Sequence, residues 1–306
     1  MHQPPQSTLG RIWADRWIYL FLLPTTLLLG IFTVYPTLAS LWFSLLDRDG
    51  FGSDGAFVGL ANYVELANDP LFWNAFGNTM QFLLIAVPLR VGLALVLAVI
   101  LNASLPFVRI LRTGIFLPVV TTAAIVGVVM RYILDPTGGP VNLILSQTGL
   151  ADGAVNFLGN GSLALYSAIA IWVWKWLGIT VIYWMAALQT IPADLYEAAE
   201  IDGATAFQKF VRITLPLLTP FTIIITLITA IDATNVFDLL LTLTNGGPFY
   251  STEVIDIFVY RHAFVANIPR LGYASAAAMF FGIVVSLAAL VQILVVARIG
   301  RRGGAA

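Results

Sequence analysis

The sequence predicts an all-α, polytopic membrane protein with six transmembrane helices, and three observations predict it. Of its 306 residues, 59% are hydrophobic and only 10% charged, with a mean hydropathy of +0.90. A soluble domain carries about 25% charged residues, so a surface this poor in charge must face lipid or the protein's own interior. Apolar runs near the length of about 20 residues needed to cross hydrocarbon recur along the chain. The runs are long and continuous, where a β-barrel would show short alternating strands. Lipid also forces every backbone polar group to be satisfied within its own segment, which selects helices.

The first span covers 17–46, uncharged, with Pro24 and Pro36 inside it. The second covers 78–101 and contains Arg90; the third, 113–130, is uncharged at its core. The fourth, 163–188, contains Lys175; the fifth, 215–234, carries Asp232 near its end; the sixth, 271–297, is uncharged. The polar, basic start "MHQPPQSTLGRIWADRW" precedes an apolar run too long for a signal peptide, so that run reads as a retained anchor. With no tandem repeat or linker, the economical organisation is one membrane domain over 1–306.

Lysine and arginine placement sets the orientation. With the N-terminus in the cytoplasm, the inner segments hold Arg11, Arg16, Arg109, Arg112, Lys209, Arg212, Arg298, Arg301 and Arg302. The outer loops then hold only Arg48, Arg131, Arg261 and Arg270. Both termini are therefore expected inside, and the polar segment 190–214 with them. The outer segments are 47–76, with room for a short amphipathic helix, the turn-rich 135–162, and 243–273, which opens on a Gly-Gly-Pro break and includes a surface helix.

Several function classes are excluded. The absence of cysteine removes disulfides, thiolate metal sites and cysteine nucleophiles. Two histidines, His2 and His262, are too few for a histidine-rich metal centre, and His262 reads as a surface residue. A net charge of −1 gives no hint of nucleic-acid binding. Neither lysine, Lys175 after Trp174 or Lys209 after Gln208, follows the glycine that a phosphate-binding P-loop requires. "NGS" at Asn160 and "NAS" at Asn102 fit the glycosylation pattern, a weak signal without meaning in a bacterial host.

The segment "EAAEIDGATAFQKFVRITLPLLTP", 197–220, is among the most polar stretches of the chain. Pro192 suits the first turn of a helix, and Asp194, Glu197 and Glu200 fall early in it, where the dipole favours negative charge. Asp202-Gly203 is a stop signal, because glycine readily takes the left-handed conformation at a helix end. A second helix starts near Thr205 and carries Lys209 and Arg212, and Pro216 and Pro220 mark re-entry into the membrane. Tyr196, Ala199 and Gly203 share one face, and Leu195, Ala198 and Asp202 another. The result is a short, stiff two-helix elbow.

The run Glu197, Ala198, Ala199, three residues, Gly203, nine residues, Ile213, one residue, Leu215-Pro216 resembles the EAA signature of permeases in binding-protein-dependent ABC importers. "FVGLANY" (57–63), "LQTIPADLYEAA" (188–199), Phe237-Asp238 with "LTNGGP" (243–248), and "GYASAAA" (272–278) are similar to the carbohydrate branch, closest to its maltose-F and glycerol-phosphate-A type of subunit. The likeness extends over nearly the whole chain. It implies the type I ABC importer permease fold, in which the EAA helix docks in a cleft of a cytoplasmic ATPase. Glu197, Ala198, Ala199, Asp202 and Gly203 are then the coupling residues. The implied partners are a second homologous permease, an ATP-binding subunit dimer, an extracytoplasmic solute-binding protein and a sugar-like solute, in a bacterial inner membrane. ATP and Mg would be bound by the ATPase, leaving this chain without cofactor or catalytic residue.

Inside the membrane, Arg90 and Lys175 each cost about 2.5–3.5 kcal/mol on insertion scales unless they face a partner or a wet cavity. Asp232 and Asp238 are the acidic candidates. One reading is a structural ion pair or polar network that locks helix packing. The other is a polar wall of a translocation path formed by Arg90, Trp172, Lys175, Trp176, Asp232 and Asn235. In "IWVWKW" (171–176), Trp172 and Trp176 share a face and Trp174 lies elsewhere; such tryptophans either stack on sugar rings or fill packing gaps and anchor at interfaces. Asn235 either meets solute hydroxyls or caps a helix end. Two other functions compete: an ion-gradient-driven secondary transporter, which would show inverted repeats and coupling carboxylates, and a membrane scaffold without transport.

Overall fold

A computed structural model describes residues 16–50, 55–102 and 108–303. The readings on His2, Arg11 and the "NAS" tripeptide beyond Asn102 lie outside the described residues. Helix α1 (Arg16–Phe43) is an apolar rod exposed along most of its length, with one wide π turn at Gly30–Val34. A two-stranded hairpin follows, β1 (Leu46–Asp47) antiparallel to β2 (Ala56–Phe57), and then α2 (Ala61–Ala67). Apart from this hairpin, the described residues bear out the all-α expectation.

Long helices make up the remainder: α3 (Pro70–Asn102), α4 (Val108–Val120), α5 (Ala123–Ile133), the short α6 (Pro140–Gln147), α7 (Gly161–Leu188), α8 (Ala193–Ile201), α9 (Ala206–Thr234), α10 (Phe237–Leu243), α11 (Ile255–Tyr260) and α12 (Leu271–Gly303). Among the described residues, five helices are long and apolar enough to cross a bilayer, six when α4 and α5 count as one bent span. Helix α3, at 33 residues, is about 50 Å long, well beyond the hydrocarbon thickness.

The described residues fall into two compact units. One contains α1, the hairpin, the start of α2 and His262–Met279; the other contains Ala67–Arg261 and the chain from Phe280. In the first unit, two of the sequence motifs meet. Buried Asn62, of "FVGLANY", donates to the Ser44 and Leu46 carbonyls, both at 2.9 Å, and Tyr63 shares a hydrogen bond with the Ser44 hydroxyl. Gly272, of "GYASAAA", lies so close to the Leu46 carbonyl that any β-carbon there would collide with it. Arg270 pairs with Glu65 through both guanidinium nitrogens, and His262, half-buried, rests on Tyr273 with ring centroids 5.3 Å apart.

The second unit holds the main core. Helix α3 packs along α7, with α9 against both and α4 against α7. Phe82, Trp172, Trp184, Leu218 and Leu240 are buried there. The apolar residues of these helices divide between this core and an outward face left for lipid or other subunits.

Two sequence expectations need correction. The third span is not one rod: α4 and α5 meet at 103° across Thr121-Thr122. Helix α11, read as a surface helix, is buried through Ile255, Ile257 and Phe258. Its apolar positions pack against α3 and α10.

Candidate functional site

The elbow forms as its sequence dictates. Pro192 precedes α8, and Gly203, at φ +75°, reverses the chain after Asp202. Thr205 then opens α9 with a reciprocal capping box: its hydroxyl accepts from the Gln208 amide, and the Gln208 side chain accepts from the Thr205 amide. One face of α8 turns inward. The Tyr196 hydroxyl meets the Thr214 hydroxyl at 2.8 Å, tying α8 to the wide turn Phe210–Thr214 in α9. Lys209 pairs with Glu200 at 3.2 Å across the bend.

The other face is open. Leu195, Glu197, Ala198 and Asp202 are exposed, as is Ile201 at 88%, with Phe207 beyond the turn. Ala199 is half-buried and Gly203 exposed. Exposed aliphatic and aromatic side chains on a short polar helix are what a partner's cleft would cover. The motif marks the alanines and glycine, and the helix phase puts Leu195 beside Ala198 and Asp202; the exposed apolar side chains of Ile201 and Phe207 are not motif positions.

A second cluster lies within the helix bundle. Arg90, fully buried on α3, donates from Nε to the Thr180 hydroxyl of α7 at 2.7 Å and from Nη2 to Asp232 of α9 at 3.3 Å. Its guanidinium lies 4.8 Å from the centre of the Trp172 ring, which in turn meets Phe82 edge-on. The Asp232 side chain is 41% exposed, so this ion pair has one dry and one open end. Arg90 Nη1, Trp172 Nε1 and Thr229 Oγ1 are buried without a hydrogen-bond partner. Of the two acidic candidates, Asp232 takes the arginine, while Asp238 is exposed in the first turn of α10.

Lys175 belongs to a different cluster. Its ammonium, also fully buried, donates to the Thr121 carbonyl at 2.8 Å and sits 3.8 Å from the Trp176 ring centre. Thr121 lies at the break between α4 and α5, where the end of α4 leaves carbonyls without helical partners. A cation at a helix C-terminus is also favoured by the helix dipole. Trp172 and Trp176 are thus occupied by the two cations, and Trp174 faces outward. Asn235 folds its side chain back onto the Ile231 carbonyl at 3.0 Å and closes the end of α9.

The family model described as "Binding-protein-dependent transport system inner membrane component" matches residues 6–302. The chain belongs to this family. It is 34% identical to YurN of Bacillus subtilis, a probable ABC transporter permease, over 90% of this chain and 94% of that one. It is 32% identical to the lactose transport system permease LacF of Rhizobium radiobacter, over 90% and 92% of the two chains. The trehalose/maltose transport permease MalF of Thermococcus litoralis is 34% identical, over 84% and 86%. A solved bacterial ABC transporter that imports the acidic polysaccharide alginate has a chain of the same fold, with a TM-score of 0.82 and 27% identity, over 94% of this chain and 98% of that one. Another structure of an alginate transporter, in complex with its pentasaccharide-bound periplasmic protein, matches at a TM-score of 0.81 and 26% identity, over 96% and 97%.

In this permease the six residues singled out inside the membrane do not line one surface. Arg90, Trp172 and Asp232 form one cluster, Lys175 and Trp176 a second, and Asn235 caps α9 by itself. Thr180, Thr229 and Trp184, which donates to the Val91 carbonyl at 3.0 Å, are further polar members of the bundle that the sequence reading did not single out. Hydroxyls carry no charge to draw notice in an apolar run, and Trp184 stands outside the tryptophan-rich stretch 171–176.

Proposed function

We propose that this chain is one membrane-spanning half of an ATP-driven importer for a sugar or related polar solute, which an external binding protein delivers. Its second half is a homologous permease, and ATP and Mg are bound and used on a separate ATPase dimer. Family membership and the sugar systems in which its relatives are named support the transport class. The solved alginate transporter with its periplasmic protein supports the assembly. We place the chain in a bacterial inner membrane with both termini in the cytoplasm, as the arginine distribution favours.

The observation that carries the coupling reading is the elbow. A helix pinned on its inner face by Tyr196–Thr214 and open on its outer face transmits a push from a docked ATPase into α9 without absorbing it. Glu197, Ala198, Ala199, Asp202 and Gly203 form the docking segment together with Leu195 and Ile201. Of the membrane residues, Asp232 offers an open carboxylate to a polar path, and Arg90 holds it in place. Lys175 and Asn235 act on helix ends, where they set the shape of the bundle.

The test is the reconstituted complex in proteoliposomes. Uptake should require ATP on the elbow side and binding protein on the other, and should survive an uncoupler. A Gly203→Asp complex should lose its ATPase or hydrolyse ATP without uptake; wild-type uptake in that variant overturns the coupling assignment.

A further inference from the structure

Helices α4 and α7 run antiparallel, so the start of α4 lies beside the end of α7 that leads into the elbow. Gly178 lets the two helices meet: a β-carbon there would stand 2.6 Å from the Ile115 carbonyl. Between that contact and the elbow they leave a groove of about 390 Å³. Ile115 and Phe116 of α4 and Ile182 and Met185 of α7 form apolar walls, and Arg112 and Gln189 stand at the elbow end.

The charge at this end is not balanced by the protein. Arg112 is half-buried; its Nη2 donates to the Leu101 carbonyl of α3 at 2.8 Å, and its Nε is buried without a hydrogen-bond partner. An arginine at a membrane surface ordinarily extends its head into water, whereas this one is held back at the mouth of the groove by a carbonyl. Arg109, one turn earlier, is exposed. Neither arginine pairs with a carboxylate among the described residues. The stretch 70–134 holds no aspartate or glutamate to offer one. Arg109 also stands in the first turn of α4, where the helix dipole favours negative charge. Two cations and a helix N-terminus thus converge on the open end of an apolar groove.

We infer that this groove binds an anionic phospholipid of the inner leaflet, with its phosphate on Arg109 and Arg112 and an acyl chain between α4 and α7. The layout of the groove matches the molecule: cationic at the membrane surface, apolar with depth. Basic pockets between membrane helices on the cytoplasmic side take such headgroups, and each near-surface arginine adds electrostatic attraction. A second permease laid over this face is the weaker occupant, since it would have to bring carboxylates and an apolar ridge together. The assignment rests on the orientation adopted above, which puts the start of α4 at the cytoplasmic surface. Gln189 is followed within three residues by Pro192 and α8, so the bound lipid sits at the root of the elbow.

The experiment reconstitutes the assembled importer into vesicles of phosphatidylglycerol and phosphatidylcholine in equal amounts. In paired samples one lipid or the other carries a diazirine in its acyl chain, and adducts are mapped by mass spectrometry after illumination. Peptides of α4 and α7 that line the groove should label with phosphatidylglycerol in roughly tenfold excess, and the R109Q/R112Q importer should label equally with both. If that variant does not assemble, R109Q alone serves, because the exposed side chain forms no ion pair; it should lower the excess by roughly fivefold. Equal labelling of the wild type, or an excess that survives R109Q, overturns the inference. So does the absence of label from both lipids, the result expected if the second permease covers the groove. Inorganic phosphate at matched ionic strength should leave the excess unchanged; its loss would mean that phosphate alone is recognised, which overturns the lipid assignment. The chain has no cysteine, so R109C gives it a single thiol for a membrane-impermeant maleimide. Reaction from the cytoplasmic side with unselective lipid labelling sinks the site alone. Reaction from the outer side sinks the orientation on which it rests.

Discussion

The buried ammonium of Lys175 on α7 donates to the carbonyl of Thr121, at the break between α4 and α5. One charge is thereby spent on a place where two helices stop. The bond is charge-assisted and its removal leaves carbonyls of the broken span without a donor. Lys175→Met should therefore destabilise the permease by about 2–3 kcal/mol. A fall in thermal midpoint in detergent, read by loss of the monodisperse peak, checks this. A variant as stable as the wild type would show that the break is held by its backbone alone.

The Arg90–Asp232 pair calls for a double-mutant cycle. Asp232→Asn leaves a buried guanidinium short of its counter-charge, and Arg90→Met leaves a half-exposed carboxylate that water can still reach. The first should cost more stability than the second. The double variant should recover part of the loss, with a coupling of about 1–3 kcal/mol. Additive losses in thermal unfolding would mean that the two groups do not sense each other.

How much of this was legible beforehand follows from what lipid dictates and what it does not. The long helices were readable because hydrocarbon thickness fixes a minimum apolar length. The elbow was readable because Pro192, Gly203 and Thr205 are local signals that act within a turn of themselves. The break at Thr121-Thr122 was not. Membrane helices tolerate proline, so Pro118 distinguishes poorly between a kink and a stop. Arg90's counter-ion could be narrowed to two aspartates, since acidic residues in spans are few. Lys175's partner is a backbone carbonyl, a group that every residue carries, so no pattern of side chains points to it. Helix α11, which carries the carboxylate of Asp256, was read as a surface helix of the outer segment 243–273; only packing against α3 and α10 shows where its apolar positions go.

That carboxylate gives a pH prediction. Burial pushes Asp256 up from 3.8 to about 6. Between these values the folded protein holds a proton that the unfolded chain has released. The stabilisation is thus full below about pH 4 and is lost as pH rises through 6. Asp256→Asn removes the charge altogether. It should leave stability near pH 4 unchanged and raise it at pH 8 by about 3 kcal/mol, flattening the profile between. Thermal midpoints of both proteins across that range test it; parallel profiles would mean that the carboxylate is solvated.

The elbow prediction separates strength from stiffness. Tyr196→Phe removes only the hydroxyl that meets Thr214, at a cost of about 0.5–1.5 kcal/mol, too little to unfold a helix bundle. The open face, with Leu195, Ile201 and Phe207, is untouched, so the ATPase should still bind and hydrolyse ATP. What changes is the tie between α8 and the wide turn of α9. A lever attached less firmly delivers less of its stroke, so the solute imported per ATP should fall while hydrolysis continues. Parallel measurement of uptake and phosphate release in proteoliposomes reads that ratio directly. An unchanged ratio would assign transmission to the backbone of the Gly203 turn, and a complex that loses its ATPase would place Tyr196 in the docking surface itself.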